Sequence, residues 1–180
     1  LLLFGSKFMQ SLLLLFLIEL HHWYILYTAL MQIRSHTAEE LQEHARSLVG
    51  ALQIGQHATL VTLSGELGAG KTTFTQGVAK AVGVTEIVTS PTFVIEKIYT
   101  LEGQRWERLV HIDAYRLNDP HELEVLGWSE LLLDKGNLIL LEWPERITPI
   151  IPNTAIQIRI DIDGDGRIIT QYGSEETKGN

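Results

Sequence analysis

The segment GELGAGKTTF, residues Gly65 to Phe74, contains three glycines, one lysine and two threonines. It lies between the apolar run ATLVTLS and the helix-like run FTQGVAKAV. Its residues fit the pattern G-x-x-x-x-G-K-[ST], which holds phosphate groups when it follows a strand and precedes a helix. The sequence therefore predicts a phosphate-binding loop within an α/β fold.

The residue types of this loop match the chemistry of phosphate binding. Glycine allows the backbone to turn so tightly that successive N–H groups point at phosphate oxygens, and the following helix adds its partial positive charge. A lysine at position 71 can reach the β- and γ-phosphates, and the hydroxyl of Thr72 can bind Mg²⁺. A glycine-rich turn with a surface lysine is the alternative, and the flanking strand and helix patterns argue against it.

Composition limits the classes of function. The chain has 180 residues, enough for one domain with a sizeable core, and its 14 Lys and Arg against 22 Asp and Glu give a net charge of −8. Such a charge argues against a general nucleic-acid-binding surface, so we expect any RNA to be held through a partner. The absence of cysteine excludes disulfides and thiolate metal sites and fits a cytoplasmic protein.

Residues 1–30 are far more apolar than the rest of the chain, although Glu19, His21 and His22 interrupt them. Only Lys7 adds a positive charge, and no small-residue cleavage site follows. We interpret this extension as translated upstream sequence with Met31 as the natural start, and expect no membrane association. A membrane anchor and a docked helix are the alternatives. Residues 31–173 are expected to form the single domain, and residues 174–180 a disordered tail.

Periodicity and turn residues predict an alternation of helices and strands. The predicted helices are Thr37–Leu52, Thr73–Val82 and Pro120–Leu133, and the predicted strands are Ala58–Leu63, Phe93–Tyr99, Arg105–Ile112, Leu138–Leu141, Thr154–Asp161 and Arg167–Tyr172. The last two strands flank the turn DGDG and form a hairpin. This pattern predicts an α/β fold of three layers, with a mixed, largely parallel sheet and a C-terminal β-hairpin.

Two of the apolar strands end in carboxylates: LVHID closes at Asp113 and LILLE closes at Glu142. Ligands of open α/β sheets bind at the carboxyl ends of the strands, so both acids are expected beside the phosphate loop. One of them is expected to bind the metal directly or through water, and the other to orient the attacking water or support the metal ligands. Two solvated strand ends are the alternative.

Five blocks in order resemble the TsaE family, formerly called YjeE: GELGAGKTTF, SPTFVIEKIY, HIDAYRL, DPHELEVLG and LLEWPER. The resemblance runs from about Thr37 to Tyr172. It implies a P-loop NTPase-like fold and the ATPase of the bacterial machinery that makes N6-threonylcarbamoyladenosine in tRNA. It also implies ATP and Mg²⁺ as cofactors, and action through TsaB and TsaD-like partners that hold the tRNA.

The resemblance also implies roles for particular residues. Thr72 and Glu142 correspond to the magnesium ligands and Asp113 to a Walker B-like acid, so that Lys71, Asp113 and Glu142 are the expected catalytic residues. Ser90-Pro91-Thr92 resembles a switch-like segment close to the γ-phosphate. The residues expected to wrap the phosphates are Gly65, Glu66, Leu67, Gly68, Ala69, Gly70, Lys71, Thr72 and Thr73.

Three further residues correspond more weakly to nucleotide-binding positions of the family. Trp143 is expected to pack beside the nucleotide, while Thr37 and Arg167 are expected to flank the adenine. Each also has a structural interpretation: Trp143 as a core residue, Thr37 as a simple helix cap and Arg167 as a solvated strand residue.

The expected function is a slow ATPase that its partners stimulate, and two other classes share the phosphate loop. A small-molecule or nucleotide kinase requires an arginine-rich lid and an acceptor pocket, whereas few arginines follow the loop here. A nucleotide-gated binding module with negligible hydrolysis would not need Asp113 or Glu142. Phosphate release measured with and without candidate acceptors separates the three.

Overall fold

A computed structural model describes residues 32–172 of the chain. The interpretations of residues 1–30 and 174–180 lie outside the described residues. The elements are β1 (Gln32–Ser35), α1 (Ala38–Ala51), β2 (Thr59–Ser64), α2 (Lys71–Ala81), β3 (Glu96–Thr100), β4 (Arg108–Asp113), α3 (Pro120–Glu124), α4 (Trp128–Leu133), β5 (Asn137–Glu142), β6 (Ile156–Asp163) and β7 (Gly166–Tyr172), with 3₁₀ turns at Pro144–Arg146 and Thr148–Ile150.

Within residues 32–172, seven strands form one sheet in the order β1-β7-β6-β2-β5-β4-β3. Strand β2 runs parallel to both β5 and β6, and β4 runs parallel to β5. Strand β3 is antiparallel to β4, and β6 and β7 form an antiparallel hairpin. The predicted mixed, largely parallel sheet with a C-terminal hairpin is therefore confirmed.

Helices cover both faces of the sheet, because side chains of the central strands alternate between two apolar cores. In β5, Leu138 and Leu140 join the core under α1 and α2, whereas Ile139 and Leu141 join the core that includes Trp128 of α4. Each fully buried aliphatic side chain contributes about 1.5–3 kcal/mol to stability. The three predicted layers follow from this alternation.

Helix α1 begins as its capping pattern predicts. The Thr37 hydroxyl accepts a hydrogen bond from the N–H of Glu40 at 3.1 Å. The Glu40 carboxylate reaches one residue further back than a standard capping box and accepts from the N–H of His36 at 2.7 Å. At 14 residues, α1 is the longest helix of the described range, and no helix in that range is long and apolar enough to cross a bilayer.

The structure corrects several predicted boundaries. The helix predicted over 120–133 is two short helices. Gly127, which lies between them, has a left-handed φ of +84° that interrupts the helical backbone. Strand β1 was not predicted, since four residues carry little periodicity. Strands β3 and β4 each begin three residues later than predicted, and α2 begins two residues earlier, at Lys71.

Candidate functional site

The segment of residues 65–73, here called the phosphate loop, joins the end of β2 to the start of α2. Its first glycine, Gly65, has a φ of +142°, and a Cβ built there would lie 2.2 Å from the carbonyl oxygen of Ile160 on β6. No side chain fits at that position, because both the conformation and the space exclude one. The last glycine of the loop, Gly70, also has a left-handed φ and begins α2. The backbone N–H groups of the first turn therefore point out of the helix start.

The side chain of Lys71 folds back over the phosphate loop. Its ammonium donates hydrogen bonds to the carbonyl oxygens of Gly65 at 2.7 Å and Glu66 at 2.9 Å. The ammonium also lies 3.7 Å from the ring centroid of Trp143. Burial lowers the pKa of Lys71, and nearby carboxylates, Glu142 first among them, oppose that shift. The loop thus presents a partly desolvated cation, which strengthens its attraction for an anion.

The carboxylate of Glu142, at the end of β5, is buried and bonded from two sides. The hydroxyl of Thr72 lies 3.1 and 3.2 Å from its two oxygens, and Nε2 of His111 lies 2.9 Å from Oε1. Thr72 belongs to the first turn of α2, whereas His111 belongs to β4. The two residues that the family resemblance assigns to the metal are in direct contact.

The carboxylate of Asp113, at the end of β4, holds a different set of partners. Its Oδ2 accepts from the hydroxyls of Ser90 at 2.5 Å and Thr92 at 2.6 Å, and its Oδ1 accepts from the N–H of Tyr115 at 2.9 Å. Ser90 and Thr92 lie in the loop of residues 87–95, which precedes β3. Asp113 consequently ties the predicted switch-like segment to the sheet.

Parallel pairing places the two acids side by side. Asp113 and Glu142 are register partners at the ends of β4 and β5, and the N–H of Ala114 donates to the carbonyl of Glu142 at 3.0 Å. Strand β5 pairs with β2, from which the phosphate loop starts. The structure thus brings the loop and both acids to one edge of the sheet, as the general rule for open α/β sheets predicts.

Trp143 lies between Lys71 and Tyr115. Its ring centroid is 5.0 Å from that of Tyr115, and its φ of +61° is left-handed, a conformation that is uncommon for residues other than glycine. The ring is half-buried and also packs against the core on the α4 side. The packing against the core agrees with the structural interpretation, and packing beside the nucleotide stays a prediction.

A cleft of about 170 Å³ opens next to the phosphate loop, between the start of α1 and the β6–β7 turn. Thr37, Thr73 and Arg167 line it together with Ser35, His36, Ala38, Leu41, Gly68, Gly70 and Asp165.

The guanidinium of Arg167 donates to the carbonyls of Ala69 at 2.8 Å and Gly68 at 3.1 Å. Arg167 is thus more than a solvated strand residue, because it fastens the hairpin to the loop. Thr37 serves as a cap and lines the cleft as well. Leu67 is also among the residues expected to wrap the phosphates, but its side chain projects outward and is 78% exposed.

Three contributions to this site were not predicted from the sequence. They are the bond between His111 and Glu142, the N–H of Tyr115 that binds Asp113, and the cleft residue Asp165. The spacing of the HIDAY block offers a signal for Tyr115, since its N–H follows the strand-end acid by two residues and binds that acid. The bond from His111 to Glu142 has no local signal, because 31 residues separate the partners.

The chemistry of the donor set fits a magnesium ion bound together with phosphate. Among residues 32–172, no group of three or more His, Asp or Glu side chains is arranged to hold a metal by itself. One hydroxyl and one carboxylate, Thr72 and Glu142, suit Mg²⁺, which takes few protein ligands and completes its shell with phosphate oxygens and water.

A glycine-rich loop between a buried parallel strand and a helix, with acids at the neighbouring strand ends, places this protein among those with a P-loop NTPase-like fold. The sequence model described as "Threonylcarbamoyl adenosine biosynthesis protein TsaE" matches residues 35–169. The chain belongs to the TsaE family.

Individual proteins agree with this assignment. The chain is 38% identical over 114 residues to the tRNA threonylcarbamoyladenosine biosynthesis protein TsaE of Haemophilus influenzae, covering 63% of this chain and 70% of that protein. It is 42% identical over 122 residues to the TsaE protein of Streptomyces coelicolor, covering 67% and 78%. The crystal structure of YdiB from Bacillus subtilis superposes with a TM-score of 0.62 at 33% identity, covering 78% of this chain and 82% of that one.

Proposed function

We propose that this protein is the Mg²⁺-dependent, ATP-binding and ATP-hydrolysing subunit of a machinery that forms threonylcarbamoyladenosine in tRNA, and that it acts through partner proteins. The observation that carries the proposal is the contact between Thr72, in the first turn after the phosphate loop, and Glu142, at the end of the adjacent strand. A hydroxyl and a carboxylate in contact beside a phosphate loop are the ligands that a nucleotide-bound Mg²⁺ requires.

The phosphate loop and its neighbours have separate tasks in this proposal. The N–H groups of residues 68–73 hold the phosphate oxygens, and Lys71 exchanges its bonds to the Gly65 and Glu66 carbonyls for bonds to the β- and γ-phosphates. Thr72 and Glu142 hold the metal. When bound, Mg²⁺ neutralises charge on the phosphate oxygens. Trp143 shields Lys71 from water on one side, which strengthens the lysine's interaction with phosphate.

In this proposal Asp113 orients the attacking water. It also transmits the state of the bound nucleotide to the loop of residues 87–95. Its oxygens accept from Ser90, Thr92 and the Tyr115 N–H, so a change at the γ-phosphate that reorients Asp113 also alters the 87–95 loop. That loop exposes Phe93 and Val94 at 83% and 69%, so its rearrangement changes a surface accessible to a partner. Couplings of this kind are typically about 1–3 kcal/mol.

The link to tRNA rests on the family. The relatives from Haemophilus influenzae and Streptomyces coelicolor carry names that describe tRNA threonylcarbamoyladenosine biosynthesis. A net charge of −8 disfavours direct binding of tRNA to this chain. We therefore assign tRNA binding to TsaB and TsaD-like partners, which also accelerate hydrolysis.

Phosphate release by the isolated chain tests the ATPase. We expect slow, Mg²⁺-dependent release that Lys71→Ala abolishes without unfolding the protein. Lys135→Ala is the matched control, because Lys135 is exposed and its substitution removes the same charge. Release that depends on an added small-molecule acceptor would instead indicate a kinase, and nucleotide binding without release would indicate a binding module.

Reconstitution tests the role in tRNA modification. Purified TsaB and TsaD-like partners, tRNA and a threonylcarbamoyl donor are combined with this chain or with its Lys71→Ala variant. We expect repeated rounds of threonylcarbamoyl transfer only with the unmodified chain, together with faster ATP hydrolysis than the chain shows alone. If multiple-turnover transfer is undiminished when the chain is omitted or replaced by Lys71→Ala, the assignment to tRNA modification is wrong and only the nucleotide-binding proposal survives.

A further inference from the structure

His111 is a buried polar side chain with a single hydrogen bond. Its side chain is fully buried in β4, and its Nε2 lies 2.9 Å from Oε1 of Glu142. The other ring nitrogen, Nδ1, is also buried and has no hydrogen-bond partner among the described residues. Because the Glu142 oxygen is an acceptor, Nε2 is assigned as the donor in this contact.

A histidine at this position lowers the stability of the fold relative to an apolar side chain. A buried imidazole nitrogen without a partner destabilises the fold, and an apolar side chain in the same space would avoid that penalty. What an apolar side chain cannot do is donate to the carboxylate. The bond to Glu142 is therefore the distinguishing contribution of His111, rather than the filling of space.

The two donors to Glu142 come from different elements. The Thr72 hydroxyl is nearly equidistant from the two carboxylate oxygens and carries one proton, so by itself it does not select between them. The imidazole of His111 contacts Oε1 alone and projects from a strand paired with β5 along six residues. A bond from the sheet thus fixes which oxygen is occupied by the imidazole, while Oε2 has Thr72 as its hydrogen-bond partner among the described residues.

We propose that His111 is a positioning residue, which holds the Glu142 carboxylate so that Glu142 and Thr72 present their oxygens to Mg²⁺ in one fixed geometry. This inference rests on the proposed function of the same site. His111 touches neither the nucleotide nor the metal in this scheme, and its effect passes entirely through Glu142.

A pair of amide variants separates positioning from packing. The amide nitrogen of His111→Gln reaches about as far as Nε2 and can still donate to Glu142, whereas that of His111→Asn is too short to do so. The measurement is the affinity of a fluorescent ATP analogue for the full chain, titrated with Mg²⁺ and repeated in EDTA, with thermal melting of each variant as a check of folding.

We expect His111→Asn to raise the Mg²⁺ concentration that gives half-maximal binding by about 10-fold or more, the usual effect of removing a partner of a metal ligand. The affinity measured in EDTA should not change. The Mg²⁺ concentration that gives half-maximal binding to His111→Gln should remain within about 3-fold of that for the unmodified protein. Should His111→Asn fail to fold, His111→Leu provides the same comparison.

Equal Mg²⁺ requirements in all folded variants would overturn the inference, even if their melting temperatures fall, because a packing residue changes stability alone. A loss of affinity in EDTA as large as that in Mg²⁺ would overturn it as well. Failure of the proposed function has a different signature, since the unmodified protein itself would then show no Mg²⁺-dependent nucleotide binding.

Discussion

Glu142 and Asp113 are neighbouring carboxylates with the same burial, yet they are hydrogen-bonded to different kinds of structure. Both are 2% exposed and pair in register at the ends of adjacent strands. Glu142 is bonded to a helix through Thr72 and to the sheet through His111. Asp113 is bonded to the hydroxyls of Ser90 and Thr92, which lie in a loop.

The loop that Asp113 holds contains an unusual backbone conformation. Ile95, at its end, has a φ of +68°, which is disfavoured for a β-branched residue. Such conformations cost about 1–3 kcal/mol and persist where the surroundings enforce them. One enforcing contact is the hydrogen bond from the Asp113 N–H to the Ile95 carbonyl, at 2.9 Å. Equal burial therefore does not imply equal roles, because the carboxylate of Glu142 is bonded to a helix and a strand, whereas that of Asp113 is bonded to a loop that ends in a strained residue.

A third carboxylate, Glu96, completes the comparison. It begins β3 directly after Ile95, and its Oε2 is buried without a hydrogen-bond partner among the described residues. Burial raises the pKa of Glu96. Hydrogen-bond donors thus distinguish the two acids of the site from a half-buried carboxylate whose buried oxygen lacks them.

The largest effect is expected for Glu142→Ala. Removal of this proposed metal ligand should lower ATP hydrolysis at saturating Mg²⁺ by about 100-fold or more, because we expect it to act mostly in the transition state. The loss of nucleotide affinity at the same saturating Mg²⁺ concentration should be much smaller. Phosphate-release kinetics and equilibrium binding measure the two quantities. Glu102→Ala, an exposed residue of the same charge, is the control. If hydrolysis and binding fell in equal proportion, Glu142 would belong to ground-state binding instead.

A smaller effect is expected for Asp113→Asn, and it should be located in the loop of residues 87–95. Hydrogen bonds to a charged acceptor contribute about 1.5–3 kcal/mol, so amide exchange in the 87–95 loop should accelerate by about 10- to 100-fold where local opening governs it. Hydrolysis should fall by more than nucleotide affinity does, because water orientation matters most in the transition state. Hydrogen-exchange mass spectrometry locates the change, and Glu142→Gln should leave exchange in this loop unaltered. Equal acceleration by both variants would remove the distinction between the two acids.

The smallest effect is expected for Glu96→Gln, and it should depend on pH. The folded-state pKa of Glu96 lies above its ordinary value of 4.5, so the folded state binds more protons than the unfolded state between those two pKa values. The free energy of unfolding therefore declines as pH rises through that window. The Glu96→Gln variant shows no such decline, because glutamine does not ionise. We expect Glu96→Gln to stabilise the protein at pH 7 by about 1 kcal/mol or less, with the gain vanishing below pH 4.5.

Urea unfolding at several pH values measures this difference, with Glu102→Gln as the exposed control. A stabilisation that persists unchanged at low pH would mean that packing, and not the ionisation of Glu96, accounts for it. That outcome would leave the comparison of the three carboxylates resting on hydrogen-bond partners alone.

Much of the fold was predictable because its signals are local. The phosphate loop, the Thr37 cap and the buried strands each arise from residues within a few positions of one another, where backbone conformation and period decide the outcome. The position of both acids was predictable as well, since parallel strands end at the same edge of a sheet. The break at Gly127 was missed because an apolar helical pattern continues on both sides of it.

The sequence by itself determined the class of fold, the phosphate loop and the identity of its two acids, because these depend on short patterns and on the order of the strands. Only the tertiary structure decided what each acid is bonded to. Residues 31 positions apart meet in the bond from His111 to Glu142, and residues 98 positions apart meet where Arg167 holds the loop at Ala69. Such contacts depend on how strands pair and which faces pack together, and no local pattern specifies side-chain partners across that separation.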